Sequence, residues 1–231
     1  MGTENDNLHA GHRARQKEKF ARQGLDAFTD VEALELLLYY AIPRRNTNEV
    51  AHRLLQRFRD LPGVLDASAE ELAQVDGIGE NAAALICLIR ELDRRYLTAR
   101  RRVGETLTSS EEVGEYLLPL FRYRREEVAV LLCLDSASRV ISARVLGEGS
   151  GTRVNLSARD VVDTALREKA VRAVLAHNHL SGTALPSRAD VESTERLRSA
   201  MELIGVELID HLIFSDGDYV SMRESGFFSC R

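Results

Sequence analysis

Residues 172–190 read RAVLAHNHLSGTALPSRAD, and this segment is the most informative one in the second half of the chain. Its apolar first part predicts a short buried strand over Arg172–His177, and a polar loop then leads into a helix. Because side chains alternate along a strand, His177 and His179 lie on one face while Asn178 points to the other. The sequence therefore predicts two imidazoles side by side at the end of a strand.

A carboxylate follows these histidines at a spacing that suits a metal site. Asp190 comes eleven residues after His179, in the first turn of a helix that Ser187 would cap. Two imidazoles and one carboxylate leave the fourth position of a tetrahedral ion open, which is typical of catalytic zinc, although Mn, Fe or Co could substitute in vitro. The pattern Ser187-x-x-Asp190 is equally that of an ordinary helix start. The spacing thus predicts a Zn²⁺ site at His177, His179 and Asp190 and leaves a purely structural role open.

Hydrolysis at such a site also requires a group that accepts a proton. The acidic residues of the second half that could serve are Glu126, Glu127, Glu148 and Glu168. The residue pattern alone does not choose among these four.

The hydrophobic period from residue 104 onward changes repeatedly between that of strands and that of helices. A near-continuous apolar run predicts a buried strand over Glu127–Leu134. Strands that alternate with helices predict a mixed sheet covered by helices. Further strands are expected over Arg139–Leu146, Val206–Phe214 and Tyr219–Ser221, and helices over Ser157–Ala170 and Ser187–Gly205.

The first half of the chain has a helical pattern instead. A polar tail over residues 1–11 is expected to be disordered, and the pattern from His12 to about Tyr96 is helical. Pro62-Gly63 is expected to end one helical unit, and Ser68 with Glu71 forms a capping box that opens the next helix. An all-α domain over residues 12–103 is therefore predicted before an α/β domain over residues 104–231.

The turn Gly77-Ile78-Gly79 between two short apolar helices resembles a helix-hairpin-helix. Its glycines allow a tight turn, and the backbone N–H groups at the start of the next helix can hold a phosphate of DNA. Glu80 follows where a phosphate would favour Lys or Arg. The turn predicts a weak, non-specific DNA contact, or a hairpin used only for packing.

Composition places the chain among ordinary globular proteins, with 44% hydrophobic and 29% charged residues in 231. No apolar run is long enough for a membrane span, and the N-terminus lacks the apolar core of a secretory signal, so a cytoplasmic protein without membrane contact is expected. Lys and Arg balance Asp and Glu over residues 1–103, and residues 104–231 carry the whole net charge of −5. Neither half has the basic character expected of a protein whose main task is to grip nucleic acid.

The spacing His177-x-His179-(seven residues)-Ser187-x-x-Asp190 is similar to the JAMM motif of the JAB/MPN metalloproteases. The chain from about His12 to Phe228 further resembles the bacterial RadC family. One departure is Leu180, where that family usually has a proline; we expect a changed loop shape and retained metal binding. The segments that carry this resemblance are the leader Ala33–Phe58 with Tyr40-Ala41-Ile42-Pro43-Arg44, the Gly77-Ile78-Gly79 hairpin and His177-Asn178-His179.

The resemblance implies a fold, a cofactor and two further site residues. The fold would be a JAB/MPN-type mixed sheet flanked by helices, similar to cytidine deaminases, and the cofactor would be Zn²⁺. Glu127 would be the general base, with Glu126 one register step away, and Ser187 would donate to the oxyanion. His211 is expected to be structural, or to contact a ligand from behind, rather than to be a fourth ligand, since a fourth protein ligand would close the site.

The function that follows is a zinc-dependent hydrolase that cleaves a peptide or isopeptide bond by metal-activated water, in a setting that includes DNA repair or another DNA-associated process. Its partner would then be a protein or peptide substrate; the sequence does not indicate an oligomeric state. The alternative is a DNA-binding repair accessory or metal-dependent nuclease that engages DNA through Gly77, Ile78 and Gly79. A single metal suits phosphodiester cleavage poorly, because that reaction more often uses two metals. A non-catalytic module with a vestigial site is the third possibility.

Overall fold

The computed structural model describes residues 3–43, 45–149, 157–180, 183–215 and 217–227, with side chains described from Gly11 onward and not at residues 148–149. The chain divides into two compact units, Met1–Asp93 and Arg94–Arg231. The division falls ten residues before the boundary expected from sequence. It lies inside a helix that ends at Ala99, a few residues beyond Tyr96, where the helical pattern of the sequence ends. Of the residues singled out above, Arg44 and Phe228 lie outside the described part.

The first unit is all-helical, as the hydrophobic period predicts. The helix α1 begins at Thr3, so most of the segment expected to be a disordered tail is helical; its polar residues include no proline that would stop a helix. The helices of this unit are α1 (Thr3–Gln23), α2 (Asp30–Leu38), α3 (Asn48–Phe58), α4 (Leu61–Asp66), α5 (Ala69–Ala73) and α6 (Glu80–Ala99), the last of which continues past the division between the units.

Capping residues set several of these helix starts. The predicted capping box of Ser68 and Glu71 is present at α5, and a second box at α2 uses Thr29 with Glu32. The expectation that Pro62-Gly63 ends a unit is wrong, because Asp60 caps α4 and Pro62 lies in its first turn. Proline is well accepted there, since the first N–H groups of a helix have no partner within it.

The core of the first unit collects apolar residues from the helices α2 to α6. Leu34, Leu54, Leu72 and Ile86 are fully buried within it. The hairpin between α5 and α6 turns at Gly77, whose φ of +95° and close approach to Val50 leave no room for a side chain. The tight turn predicted from the two glycines is therefore present.

The second unit contains a five-stranded mixed sheet with the order β2-β1-β3-β4-β5. Only the β3–β4 pair is parallel, and the other neighbouring strands are antiparallel. The predicted mixed sheet flanked by helices is confirmed. Its strands are β1 (Glu127–Leu134), β2 (Val140–Gly149), β3 (Arg172–Asn178), β4 (Glu207–Ser215) and β5 (Asp218–Ser221).

Helices cover both faces of this sheet, and β1 shows why. Val130 and Leu132 face the cluster that includes α7, whereas Leu131 and Cys133 face the cluster that includes α8 and α9. A strand buried on both faces has no polar alternation, which explains the continuous apolar run. The three helices are α7 (Ser110–Phe121), α8 (Ala158–Arg167) and α9 (Arg188–Leu203).

Candidate metal centre

Two elements bring the predicted ligands together, the end of β3 and the start of α9. His177 is the penultimate residue of β3, and His179 follows the strand with its N–H donating to Phe214 O at 2.8 Å. Asp190 is the third residue of α9, which Ser187 caps. The Ser187 N–H donates to Asp190 Oδ2 at 2.7 Å, and the Asp190 N–H donates to Ser187 Oγ at 3.2 Å. The capping box therefore fixes the carboxylate that faces the histidines.

The ligand atoms lie at the separations of a coordination shell. His177 Nε2 lies 3.0 Å from His179 Nε2 and 3.3 Å from Asp190 Oδ1, and His179 Nε2 lies 3.5 Å from Asp190 Oδ2. A tetrahedral zinc ion with bonds of about 2.0–2.1 Å places neighbouring ligand atoms about 3.3 Å apart. Among the His, Cys, Asp and Glu side chains of the described residues, these three lie close enough together to hold a metal ion. The separations and the N/O donors fit zinc.

The charge of Asp190 suits a ligand. Burial raises the pKa of this carboxyl, but the neighbouring His177 ring and the hydrogen bonds with Ser187 outweigh burial and hold the pKa well below its usual range. The side chain is therefore an anion at neutral pH, as a metal ligand must be.

The other nitrogen of each histidine ring is already engaged. His179 Nδ1 lies 3.4 Å from Thr183 O, and His177 Nδ1 lies 2.8 Å from His211 Nε2. Both rings consequently present Nε2 to the centre. Such partners on the far side of a ligand ring hold its orientation in known metal sites.

His211 is fully buried behind His177, in β4. Burial lowers its pKa well below the usual value, and the positive charge that His177 can carry lowers it further. The ring is thus neutral, and it stands outside the group of atoms that could share an ion. Its other nitrogen lies 2.6 Å from Thr194 Oγ1. Thr194 was not predicted as a site residue, although its position four residues after Asp190 places the two on one face of α9.

The register of β1 separates Glu127 from Glu126. Ala129 pairs with His177 in the antiparallel ladder between β1 and β3. Two residues further along each strand, Glu127 falls opposite His179, and both side chains lie on the same face of the sheet as Ala129 and His177. Glu127 is 9% exposed, whereas Glu126 lies one residue outside β1 and is exposed. The pairing thus places Glu127 on the side of the candidate centre, and Glu126 on the other.

Asn178 fixes this register where the ladder ends. Its Oδ1 accepts the Val128 N–H at 2.7 Å, and its Nδ2 donates to Glu126 O at 3.1 Å. The amide side chain therefore bonds the backbone on both sides of Glu127. Strand alternation alone predicts only that Asn178 points away from the histidines.

The remaining acidic candidates are positioned differently. Glu168 follows α8 and binds Arg144 Nε at 2.8 Å; it precedes β3, at the opposite end of that strand from His177. The Glu148 side chain lies outside the described part of the chain. In the loop before α9, the side chains of Leu180 and Leu185 are 43% and 62% exposed.

The Gly77-Ile78-Gly79 turn belongs to the first unit, whereas the metal cluster belongs to the second. Ile78 is 6% exposed and packs in the core, so its side chain offers nothing to a ligand. A Cβ built on Gly79 would meet no neighbouring atom, but exposed Asp76 and Glu80 flank the turn. Among the residues that the structure describes, no helix has the length and apolar character needed to cross a membrane.

The second unit is a mixed sheet flanked by helices, with two histidines and an aspartate at the end of a central strand, and this architecture is consistent with a JAB domain. The RadC-like JAB domain family matches residues 107–227, and the UPF0758 N-terminal family matches residues 9–84. The chain therefore belongs to the RadC-like JAB (UPF0758) family, as the resemblance predicted.

Relatives extend the match over almost the whole chain. UPF0758 proteins from Cellvibrio japonicus and Tolumonas auensis are 35% and 36% identical over 213 residues, which is 92% of this chain and 95% of each relative. A UPF0758 protein from Variovorax paradoxus is 39% identical over 215 residues, again 92% of this chain and 95% of the relative. Both units are thus shared with the relatives, whose names state no reaction.

Proposed function

We propose that this protein is a zinc-dependent hydrolase that cleaves an amide bond in a peptide or isopeptide substrate. The observation that carries the proposal is the convergence of His177, His179 and Asp190 at ligand separations, with Glu127 on the same side of the sheet. Three N/O ligands leave a coordination position free, which supports a catalytic rather than a structural ion.

His177, His179 and Asp190 would hold the ion. Zinc at such a site lowers the pKa of the water it binds to about 7, which supplies a nucleophile at neutral pH. The carboxylate of Glu127 would accept the proton of the attacking water and pass it to the leaving nitrogen. Ser187 Oγ accepts the Asp190 N–H, and its own hydrogen would then be donated to the oxygen that gains negative charge.

The test combines metal content with two substrate classes in one preparation. The full chain, purified without a metal-affinity tag and loaded with zinc, is incubated with a peptide library and, separately, with labelled plasmid DNA. We expect peptide cleavage that His177→Ala abolishes. DNA nicking that His177→Ala abolishes, without peptide cleavage, would contradict the proposal and favour a nuclease that engages DNA through the Gly77–Gly79 turn.

A further inference from the structure

A buried chain of hydrogen bonds connects the backbone of one candidate ligand to the ring of another. It runs from Asp190 O to Thr194 Oγ1 at 2.6 Å, on to His211 Nδ1 at 2.6 Å, and from His211 Nε2 to His177 Nδ1 at 2.8 Å. Thr194 is 0% and His211 1% exposed. Water therefore competes poorly for these bonds, and their direction is set by the protein alone.

The carbonyl at one end fixes the direction of every bond in the chain. A carbonyl oxygen can only accept a hydrogen bond, so the Thr194 hydroxyl must donate its one hydrogen to Asp190 O. The other nearby acceptor, Met222 Sδ, lies at 3.7 Å and is weaker. Thr194 Oγ1 must then accept from His211 Nδ1–H. A neutral imidazole has one N–H, so His211 Nε2 accepts, and His177 must carry its hydrogen on Nδ1.

This direction leaves the lone pair of His177 Nε2 pointing at the candidate centre. The opposite tautomer would place a hydrogen on the atom that must bind the metal. We propose that Thr194 and His211 are positioning residues that hold His177 in its metal-binding tautomer and orientation. The inference rests on the proposed function, since it assigns the partners of that same metal site.

The chain offers matched variants for a test. Thr194→Val removes the hydroxyl at almost constant volume. His211 can then carry its hydrogen on Nε2 and donate it to His177 Nδ1. His177 would in that case carry its own hydrogen on Nε2. Thr194→Ser keeps the hydroxyl. The control is Thr47→Val, since Thr47 is 1% exposed, lies in the other unit, and its hydroxyl has no hydrogen-bond partner among the described residues.

Zinc affinity, measured on the full chain by competition with a chelator, is the first readout. Loss of a partner behind a ligand typically costs about 10–100-fold in affinity, and we expect this loss for Thr194→Val. Thr194→Ser and Thr47→Val should bind zinc as the unaltered chain does. The visible spectrum of the cobalt-substituted protein should change in Thr194→Val only, because it reports ligand geometry, which a general loss of stability would not alter.

A second readout needs no variant. Long-range ¹⁵N–¹H NMR spectra of the zinc-loaded chain assign the tautomer of each histidine, and we expect the hydrogen on Nδ1 in both His177 and His211. A hydrogen on Nε2 of His211 would overturn the inference, as would unchanged zinc affinity in folded Thr194→Val. A chain that binds no zinc at all would overturn the proposed function itself, so the two failures are distinguishable.

Discussion

At the scale of single residues, the adjacent carboxylates of Glu126 and Glu127 are expected to differ in their effect on hydrolysis. Glu127 lies on the face of β1 that carries the candidate centre, and Glu126 does not. We expect Glu127→Gln to keep bound zinc and to lose hydrolysis by about 10²–10⁴-fold, the usual contribution of a general base. Glu126→Gln is the control and should retain activity. Both effects are measured as peptide cleavage alongside zinc content; equal activity in the two variants would contradict the assigned role.

Asn178 provides a second prediction at this scale. Asn178→Ala leaves the buried Val128 N–H without its acceptor, which costs about 1–3 kcal/mol in the free energy of unfolding. Because the same amide holds the backbone on both sides of Glu127, hydrolysis should fall as well. Denaturant unfolding and peptide cleavage check the two effects. The exposed Asn81 gives the control, Asn81→Ala, which should change neither.

The three candidate ligands could be predicted from sequence because their relation is local. Strand alternation places His177 and His179 on one face, and a helix start places Asp190 next to its cap. His211 and Thr194 could not be connected in this way, because their contacts depend on β4 pairing with β3 and on α9 packing behind it. The choice of Glu127 over Glu126 likewise needed either a family resemblance or the register of β1 against β3.

At the scale of elements, two capping boxes offer a matched pair. Ser68 and Ser187 make the same cap at α5 and α9. Replacing either by alanine should cost about 1 kcal/mol in the free energy of unfolding. Only Ser187→Ala should also lower hydrolysis, because only this hydroxyl lies beside the candidate centre. Equal loss of activity in Ser68→Ala would show that the lost stability, and not the position of Ser187 at the candidate centre, accounts for the effect.

The start of α2 gives a prediction on pH. The Thr29 backbone N–H and the Lys19 side chain lower the pKa of Glu32 from 4.5 to about 2. A lowered folded-state pKa means that the stabilisation is complete above about pH 4.5 and is lost as the pH falls towards 2. The side chain is 30% exposed, so we expect only about 1 kcal/mol. The difference in unfolding free energy between the unaltered chain and Glu32→Gln should shrink over this range.

The control for that experiment is Glu70→Gln, since Glu70 is exposed in the first turn of α5. If the difference in unfolding free energy between the unaltered chain and Glu32→Gln stays constant from pH 6 to pH 2.5, the charge of Glu32 is not the source of the stabilisation.

Most elements follow from periodicity and capping residues, and the misplaced ones have physical explanations. The apolar run of β1 and the cap at α5 are read correctly because both signals are local. Pro62-Gly63 was misread because proline either ends a helix or occupies its first turn, and the choice depends on the cap at Asp60. The helical start of α1 could not be predicted, since a polar segment lacks the apolar stripe on which the period depends.

At the scale of the whole molecule, the two units carry different chemistry. The metal cluster lies in Arg94–Arg231, and the glycine turn lies in Met1–Asp93. Lys and Arg balance Asp and Glu within Arg94–Arg231, so this unit lacks the basic excess expected of a domain whose main task is to grip DNA. The composition and order of the two units could be predicted from sequence; the division inside α6 could not, because the helical period continues through it.

The proposed hydrolysis requires that His177, His179 and Asp190 hold one zinc ion. Elemental analysis of the full chain, purified without a metal-affinity tag and compared with Asp190→Ala, tests this most directly. We expect about one zinc ion per unaltered chain and almost none in the variant. A folded, unaltered chain that holds no more zinc than Asp190→Ala, even after incubation with zinc and gel filtration, would contradict the account.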